Sequence, residues 1–423
     1  MGKKAKKNIK ISDKIENTEI KSHEVKNSQI IPWIVFLFSI SIVLISFVSV
    51  IFPALILVSD TVTIPGLEQV TPDPFETGIW SGGVIISSII TFGLAFLYFK
   101  NKLPNFLSRL FSKVFAFEVS KKMAFIILLV LLIIYVAASS AELSSKEIFA
   151  DYTGVKNRLE TWPPDSINSF EPHVKYFFIK ASTVLFGNDR VIPLLASVAL
   201  LVVTYFLTKT ITQKRFAGIV SVVIIMQSNV FLIYDTTVSY TNFWILFYVL
   251  SLYLVYRFWP LSPVSYLLSI PSKALTAAFL PMSIYFILRS DISRKQKMLT
   301  AGITAGIILA GGLASMGGFS ATQDTEEGFD AKEFWMGFTS FAYQLRFDGM
   351  VMLFMIPLMV GLFLVSKSGI KHGESIMVLI SGMLLIAPVL TGFTNQTNQP
   401  YRFVPLVVFF AIGVGVLLSK RQA

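Results

Sequence analysis

Twelve apolar runs leave this chain few ways to fold. They fall at about 32–58, 80–99, 123–140, 191–208, 216–234, 243–256, 262–272, 274–288, 298–316, 349–366, 375–391 and 403–419. Most approach the roughly 20 residues that an α-helix needs to cross a hydrocarbon core. Inside lipid every backbone polar group must be paired within the protein, so such runs become helices. The composition agrees, with 54% hydrophobic and 14% charged residues. The expected fold is an all-α polytopic membrane protein of about 12 transmembrane or half-membrane helices.

Charge orients the chain. Residues 1–31 hold eight lysines and no arginine, and are too polar for a signal peptide. They read as a disordered basic cytoplasmic tail. The pair of runs at 262–288 has Arg257 before it and Arg289, Arg294, Lys295 and Lys297 after it. Basic flanks on both sides argue for a hairpin that returns to the cytoplasm, with Pro271 and Lys273 at its turn. A single tilted span is the alternative, and it would invert everything downstream. Twelve passes put both termini in the cytoplasm. The cytoplasmic segments then hold 26 of the 36 Lys and Arg but 7 of the 25 Asp and Glu. This bias is the positive-inside pattern, here expected of a plasma membrane.

Several functions lose support at this level. The chain has no cysteine, which excludes disulfides and thiolate metal sites. His23, His173 and His372 are too scattered for a histidine metal site. The net charge of +11 sits in loops that bias insertion, so nucleic acid is not an expected partner. Gly302 and Gly306, with Gly311 and Gly312, read as close helix packing and not as a nucleotide loop.

The outer face carries the candidate chemistry. Segment 141–190 contains Glu142, Glu147 and Asp151, and the last two would share a face if helical. In 174–186, Val174, Phe177, Phe178, Ala181 and Leu185 form one stripe with Lys175 and Lys180 off it, as in a helix lying at the interface. Segment 317–348 is acidic, with Asp324, Glu326, Glu327, Asp330, Glu333 and Asp348; it lacks the alternating spacing of a calcium loop. Asn395-Gln396-Thr397 is a sequon before the last run.

A family resemblance rests on particular stretches. Glu171-Pro172-His173-Val174-Lys175-Tyr176-Phe177-Phe178-Ile179-Lys180, then Leu185-Phe186-Gly187-Asn188-Asp189-Arg190 and Ile192-Pro193, resembles GT-C membrane glycosyltransferases. The type is the dolichyl-phosphate-mannose protein mannosyltransferase and aminoarabinose transferase. The likeness runs on to Leu252-Tyr253-Leu254-Val255-Tyr256-Arg257. It touches Ile270-Pro271-Ser272-Lys273-Ala274-Leu275-Thr276 and resurfaces at Tyr401-Arg402-Phe403-Val404-Pro405-Leu406. The family's His-Pro-Pro stands here as Glu-Pro-His, and its acidic pair is replaced by Lys146-Glu147 with Glu142 and Asp151 nearby.

The resemblance implies four parts: tail 1–31, two extra spans and a basic loop at 32–122, a GT-C-like core at 123–316, and an acidic loop with C-terminal spans at 317–423. It implies sugar transfer from a polyprenyl-phosphate donor to a protein, lipid or glycan acceptor at the outer face. Such a reaction needs a carboxylate base and cations for the departing phosphate. Glu147, Asp151 or Glu142 is the expected base. Lys273 and Arg402 are the expected phosphate clamps, and Glu171, His173 and Asp235 the acceptor or sugar contacts. No cofactor is assigned, and a divalent metal is left open. Glu147 and Asp151 could equally be a solvated face, and Arg402 beside Tyr401 an interface anchor. Two other classes stand beside the enzyme: a secondary transporter, suggested by the helix broken at Pro271, and a non-enzymatic assembly subunit.

Overall fold

A computed structural model describes residues 30–57, 73–163, 172–316, 328–394 and 399–419. Most of the basic tail, Glu171, Asp324, Glu326, Glu327 and the sequon lie outside the described residues. Among the described residues there is no strand.

The helices used below are α1 (Ile30–Ile51), α2 (Ser81–Phe99), α3 (Asn105–Ala116), α4 (Lys121–Ser140), α5 (Asp151–Glu160), α6 (His173–Phe186), α7 (Val191–Thr212), α8 (Arg215–Met226), α9 (Asn229–Tyr234), α10 (Phe243–Arg257), α11 (Leu261–Ser269), α12 (Leu280–Arg289), α13 (Arg294–Met316), α14 (Ala331–Gly337), α15 (Gly349–Lys367), α16 (His372–Thr394) and α17 (Val404–Leu417). Seven of them, α1, α2, α4, α7, α15, α16 and α17, are long and apolar enough to cross a membrane. The chain is therefore a helical, membrane-embedded protein. The apolar helices α8, α10 and the Ala274–Arg289 segment are shorter.

The centre of the bundle is α17. All but two of its residues are buried, and it packs against α8, α15, α16 and α7. Gly415 permits this closeness, since a Cβ there would come within 2.4 Å of Thr208. Ser221 donates to the Ala411 carbonyl at 2.8 Å, and Ser39 of α1 meets Ser381 of α16 at 3.0 Å. Such bonds between spans contribute about 0.6 kcal/mol each. The extra spans α1 and α2 thus lean on the C-terminal helices, and α2 lies along α15.

Two breaks in the helices matter. Run 216–234 splits into α8 and α9 at Gln227-Ser228. Ser228 Oγ accepts from Phe231 N at 3.1 Å, and Asp348 accepts from the N–H groups of Asn229 and Val230, both at 3.0 Å. A carboxylate at a helix start satisfies orphan donors and favours the dipole. The second break is the hairpin turn at 270–273 between α11 and the 3-10 segment Ala274–Phe279 that leads into α12. Tyr266 Oη donates to Thr276 O at 2.8 Å and ties the two limbs together.

Three local expectations change or sharpen. Open space lies where a Cβ would stand at Gly302 and Gly306, so the close packing read from these glycines is not formed there. The neighbouring Ala301 and Thr304 face inward instead. Glu147 and Asp151 do not share a helical face, because α5 begins at Asp151. In α6 Phe177 and Leu185 of the stripe face outward, Phe178 packs inward against Phe243, and Lys175, Tyr176 and Ile179 are buried. Gly187, at φ +66°, ends α6 in the left-handed conformation that suits glycine.

Candidate functional site

Asp151, His173, Lys273 and Arg402 lie on four separate segments of the chain and line one cavity of about 720 Å³. Its floor is the hairpin turn Ile270-Pro271-Ser272-Lys273. The start of α6 borders it, pinned by a hydrogen bond from Val174 N to Pro271 O at 3.3 Å. The face of α5 that carries Asp151 also carries Gly154, Val155 and Arg158, at offsets of three, four and seven.

Aromatic rings hold the cations. Lys273 donates to Tyr401 Oη at 3.0 Å, and its ammonium lies 4.2 Å from the Tyr401 ring centroid and 5.8 Å from that of Trp244. Tyr401 stacks on Tyr240 with centroids 4.1 Å apart and planes at 14°. Tyr240 Oη in turn donates to Asp151 Oδ2 at 2.6 Å. Cation, stacked phenols and carboxylate thus form one continuous wall. Burial, reinforced by Asp151, pushes the Tyr240 phenol well above its usual range, so it stays protonated and donates. Burial likewise lowers the Lys273 ammonium below its usual range, against the pull of Tyr401.

Lys175 is a third cation on the lining. It is 9% exposed and donates to the Ser239 carbonyl at 2.5 Å. Burial first, and then the Lys273 charge, lower its pKa to about 7. The described lining includes Lys175, Lys273, Arg402 and Arg158 against the single carboxylate Asp151.

Glu142, Glu147 and Asp235 stand outside the cavity, and Glu171 lies outside the described residues. Glu147 is 6% exposed, and its two carboxylate oxygens accept from Val238 N at 2.7 Å and Ser239 N at 3.0 Å. Capturing that loop is what keeps residue 147 out of α5. Glu142 accepts from Thr236 Oγ1 at 2.8 Å and lies 3.7 Å from Arg190. Arg190 also bonds the carbonyls of Thr236, Ser145 and Glu142, and so locks loop 141–145 to loop 236. Asp235 is buried beside α4, where Tyr135 Oη and Ser139 Oγ both donate to its Oδ2 at 2.7 Å. Burial raises its pKa to about 6.

Lys175, Arg158, Tyr240 and Trp244 carry no motif of their own. The helical offset from Asp151 is the signal that points to Arg158. Lys175 and Tyr240 depend on tertiary folding. Among the described residues no three His, Cys, Asp or Glu side chains gather as a metal-holding group. Comparison with protein-family models, with curated proteins and with solved structures finds no match.

Proposed function

We propose that this protein transfers a sugar from a polyprenyl-phosphate donor to an acceptor hydroxyl at the extracytoplasmic face of the membrane. The observation that carries this reading is the meeting of Lys273, Arg402 and Asp151 in one cavity. Cations gathered around a space suit a phosphate, and a carboxylate among them suits a base. The resemblance of 171–193, 270–276 and 401–406 to GT-C glycosyltransferases supports the same chemistry.

The step balances as follows. The acceptor oxygen forms a bond to the sugar C1 while the bond from C1 to the phosphate oxygen breaks. The electron pair of that bond leaves on the lipid phosphate, where Lys273 and Arg402 offset the charge. The acceptor proton passes to Asp151. Tyr240 holds Asp151 through its Oδ2, and His173, at the start of α6, contacts the sugar or acceptor.

A second reading is a transporter, because the broken hairpin at Lys273 lines the cavity. One experiment separates them. Membranes containing the protein are given a labelled polyprenyl-phosphate sugar, and transfer to endogenous acceptors is measured for the wild type, Asp151→Asn and Lys273→Met. Transfer by the wild type that both variants lose supports the enzyme. Equal transfer by all three sinks the assignment of the site. No transfer by the wild type, with saturable uptake of a solute into vesicles, favours transport.

A further inference from the structure

The molecule holds a second, larger cavity of about 1060 Å³. It lies at the far end of the bundle from the first. α7 begins beside Arg190, which bonds the Thr236 carbonyl in the loop that runs on to the first cavity at Ser239, and brings Lys209, in its last turn, to the second. The walls are apolar, among them Leu94 and Ala95 of α2, Val360 and Leu364 of α15, and Leu417 of α17.

One side is formed by α3, which has no buried residue. Phe106, Leu110, Phe111 and Val114 are exposed on it, with Arg109 and Lys113 among them. A helix of this kind lies in the plane of a membrane interface. Yet Phe111 and Phe115 line the cavity, so α3 covers a space and not a packed core. Two neighbours fasten it. Lys214 bonds the Phe115 and Phe117 carbonyls, and Arg215 bonds the Val119 carbonyl at 3.1 Å and lies 3.8 Å from Glu118.

The charge around this opening is mainly positive. Residues 100–122 hold six Lys and Arg against the single acid Glu118. Lys209, Lys214 and Arg215 add three more on the lining. Lys214 and Arg215 are occupied in holding α3. Lys209 makes no hydrogen bond or ion pair among the described residues, and its ammonium stands 5.6 Å from the Phe206 ring centroid. A largely apolar space with a cation on its lining suits a molecule with acyl chains and an anionic head.

We propose that this cavity binds an anionic phospholipid, with its acyl chains against α2, α15 and α17 and its phosphate at Lys209 under α3. The site is separate from the sugar-transfer reading and stands or falls without it. Basic clusters beside a membrane attract anionic lipid near the surface. The apolar walls then hold the chains where the charge has brought the head.

The test uses the full chain in nanodiscs of phosphatidylcholine containing a trace of photoactivatable phosphatidylglycerol or photoactivatable phosphatidylcholine. Labelled peptides are mapped by mass spectrometry. The expected result is labelling of α2, α15 and α17 near Leu94, Leu364 and Leu417 by the anionic probe, at least fivefold above the zwitterionic one. Lys209→Gln should remove that preference, and Lys209→Arg should keep it. Equal labelling by the two probes in the wild type overturns the proposal, as does a preference that survives in a folded Lys209→Gln. If Lys209→Gln does not fold, the wild-type ratio alone decides.

Discussion

At one end of α10, Arg289 and Glu374 meet at 2.6 Å; at the other, Lys175, Lys273, Arg402 and Asp151 line one cavity. Trp244 lines the cavity and Tyr256 reaches His372, so the two clusters are separated by roughly 18 Å of helix. The far cluster is closed. Glu374 also accepts from Tyr285 and Ser366, and Asp291 lies between Lys371 and His372. Its charges meet one another directly, which is how buried ions are tolerated in a framework. In the near cluster aromatic rings stand against the Lys273 ammonium, which lies over the Tyr401 and Trp244 rings. Directly paired charge fastens helices, and cations gathered around a cavity suit an anionic ligand.

The sharpest break of this contrast is Asp151→Asn. It leaves the wall intact, because an amide can still accept from Tyr240. Transfer should fall about 10²–10⁴-fold, the usual contribution of a general base. The thermal midpoint should stay where it is. A variant that transfers normally ends the role of Asp151. The opposite pattern is expected of Glu374→Gln, which strands the Arg289 guanidinium in a largely buried place. Removing one partner of such a pair costs about 3–5 kcal/mol. Stability measured by thermal unfolding in detergent should drop accordingly, while any folded fraction keeps its donor affinity. Equal stability would show that the far cluster is not a fastening.

Lys273→Met tests the near cluster from the cation side. Hydrogen bonds to charged groups contribute roughly 1.5–3 kcal/mol, so donor affinity should fall about 10- to 150-fold. The methionine still fills the space against Tyr401 and Trp244, so stability should hold or rise slightly, because a buried ammonium is gone. Binding of a polyprenyl phosphate without sugar reads this directly. Unchanged affinity would remove Lys273 from the clamp.

The same contrast explains what the sequence could and could not reveal. The apolar runs mark the seven described helices long and apolar enough to cross a membrane, because backbone pairing in lipid leaves no other choice. The break at Gln227-Ser228 has a local cap in Ser228, but the carboxylate that completes it comes from Asp348 far along the chain. Lys273 is legible because a lysine at a broken helix needs a reason. Among the three candidate acids, spacing does not separate Asp151 from Glu142 and Glu147. What separates them is their partners, which are Arg190 and Thr236 for Glu142, the Val238 and Ser239 amides for Glu147, and Tyr240 for Asp151. Those partners lie on other segments and come together only in the fold.

Lys175 gives the smallest effect and the finest discrimination. Its pKa is lowered to about 7 by burial and by the charge of Lys273. A folded lysine below its ordinary value binds fewer protons than the unfolded chain between about pH 7 and the usual lysine range, so stability rises with pH across that window. The cost of the buried ammonium is fully present below about 7 and is relieved above it. Donor affinity should move the other way, because the charge that attracts phosphate is lost on the same titration. The two slopes should therefore oppose each other above about pH 7, with stability rising and affinity falling a few-fold. Lys175→Met should flatten both. If the variant keeps the affinity slope, the titrating group is another one, and Lys175 belongs with Arg289 as a fastening and not with Lys273.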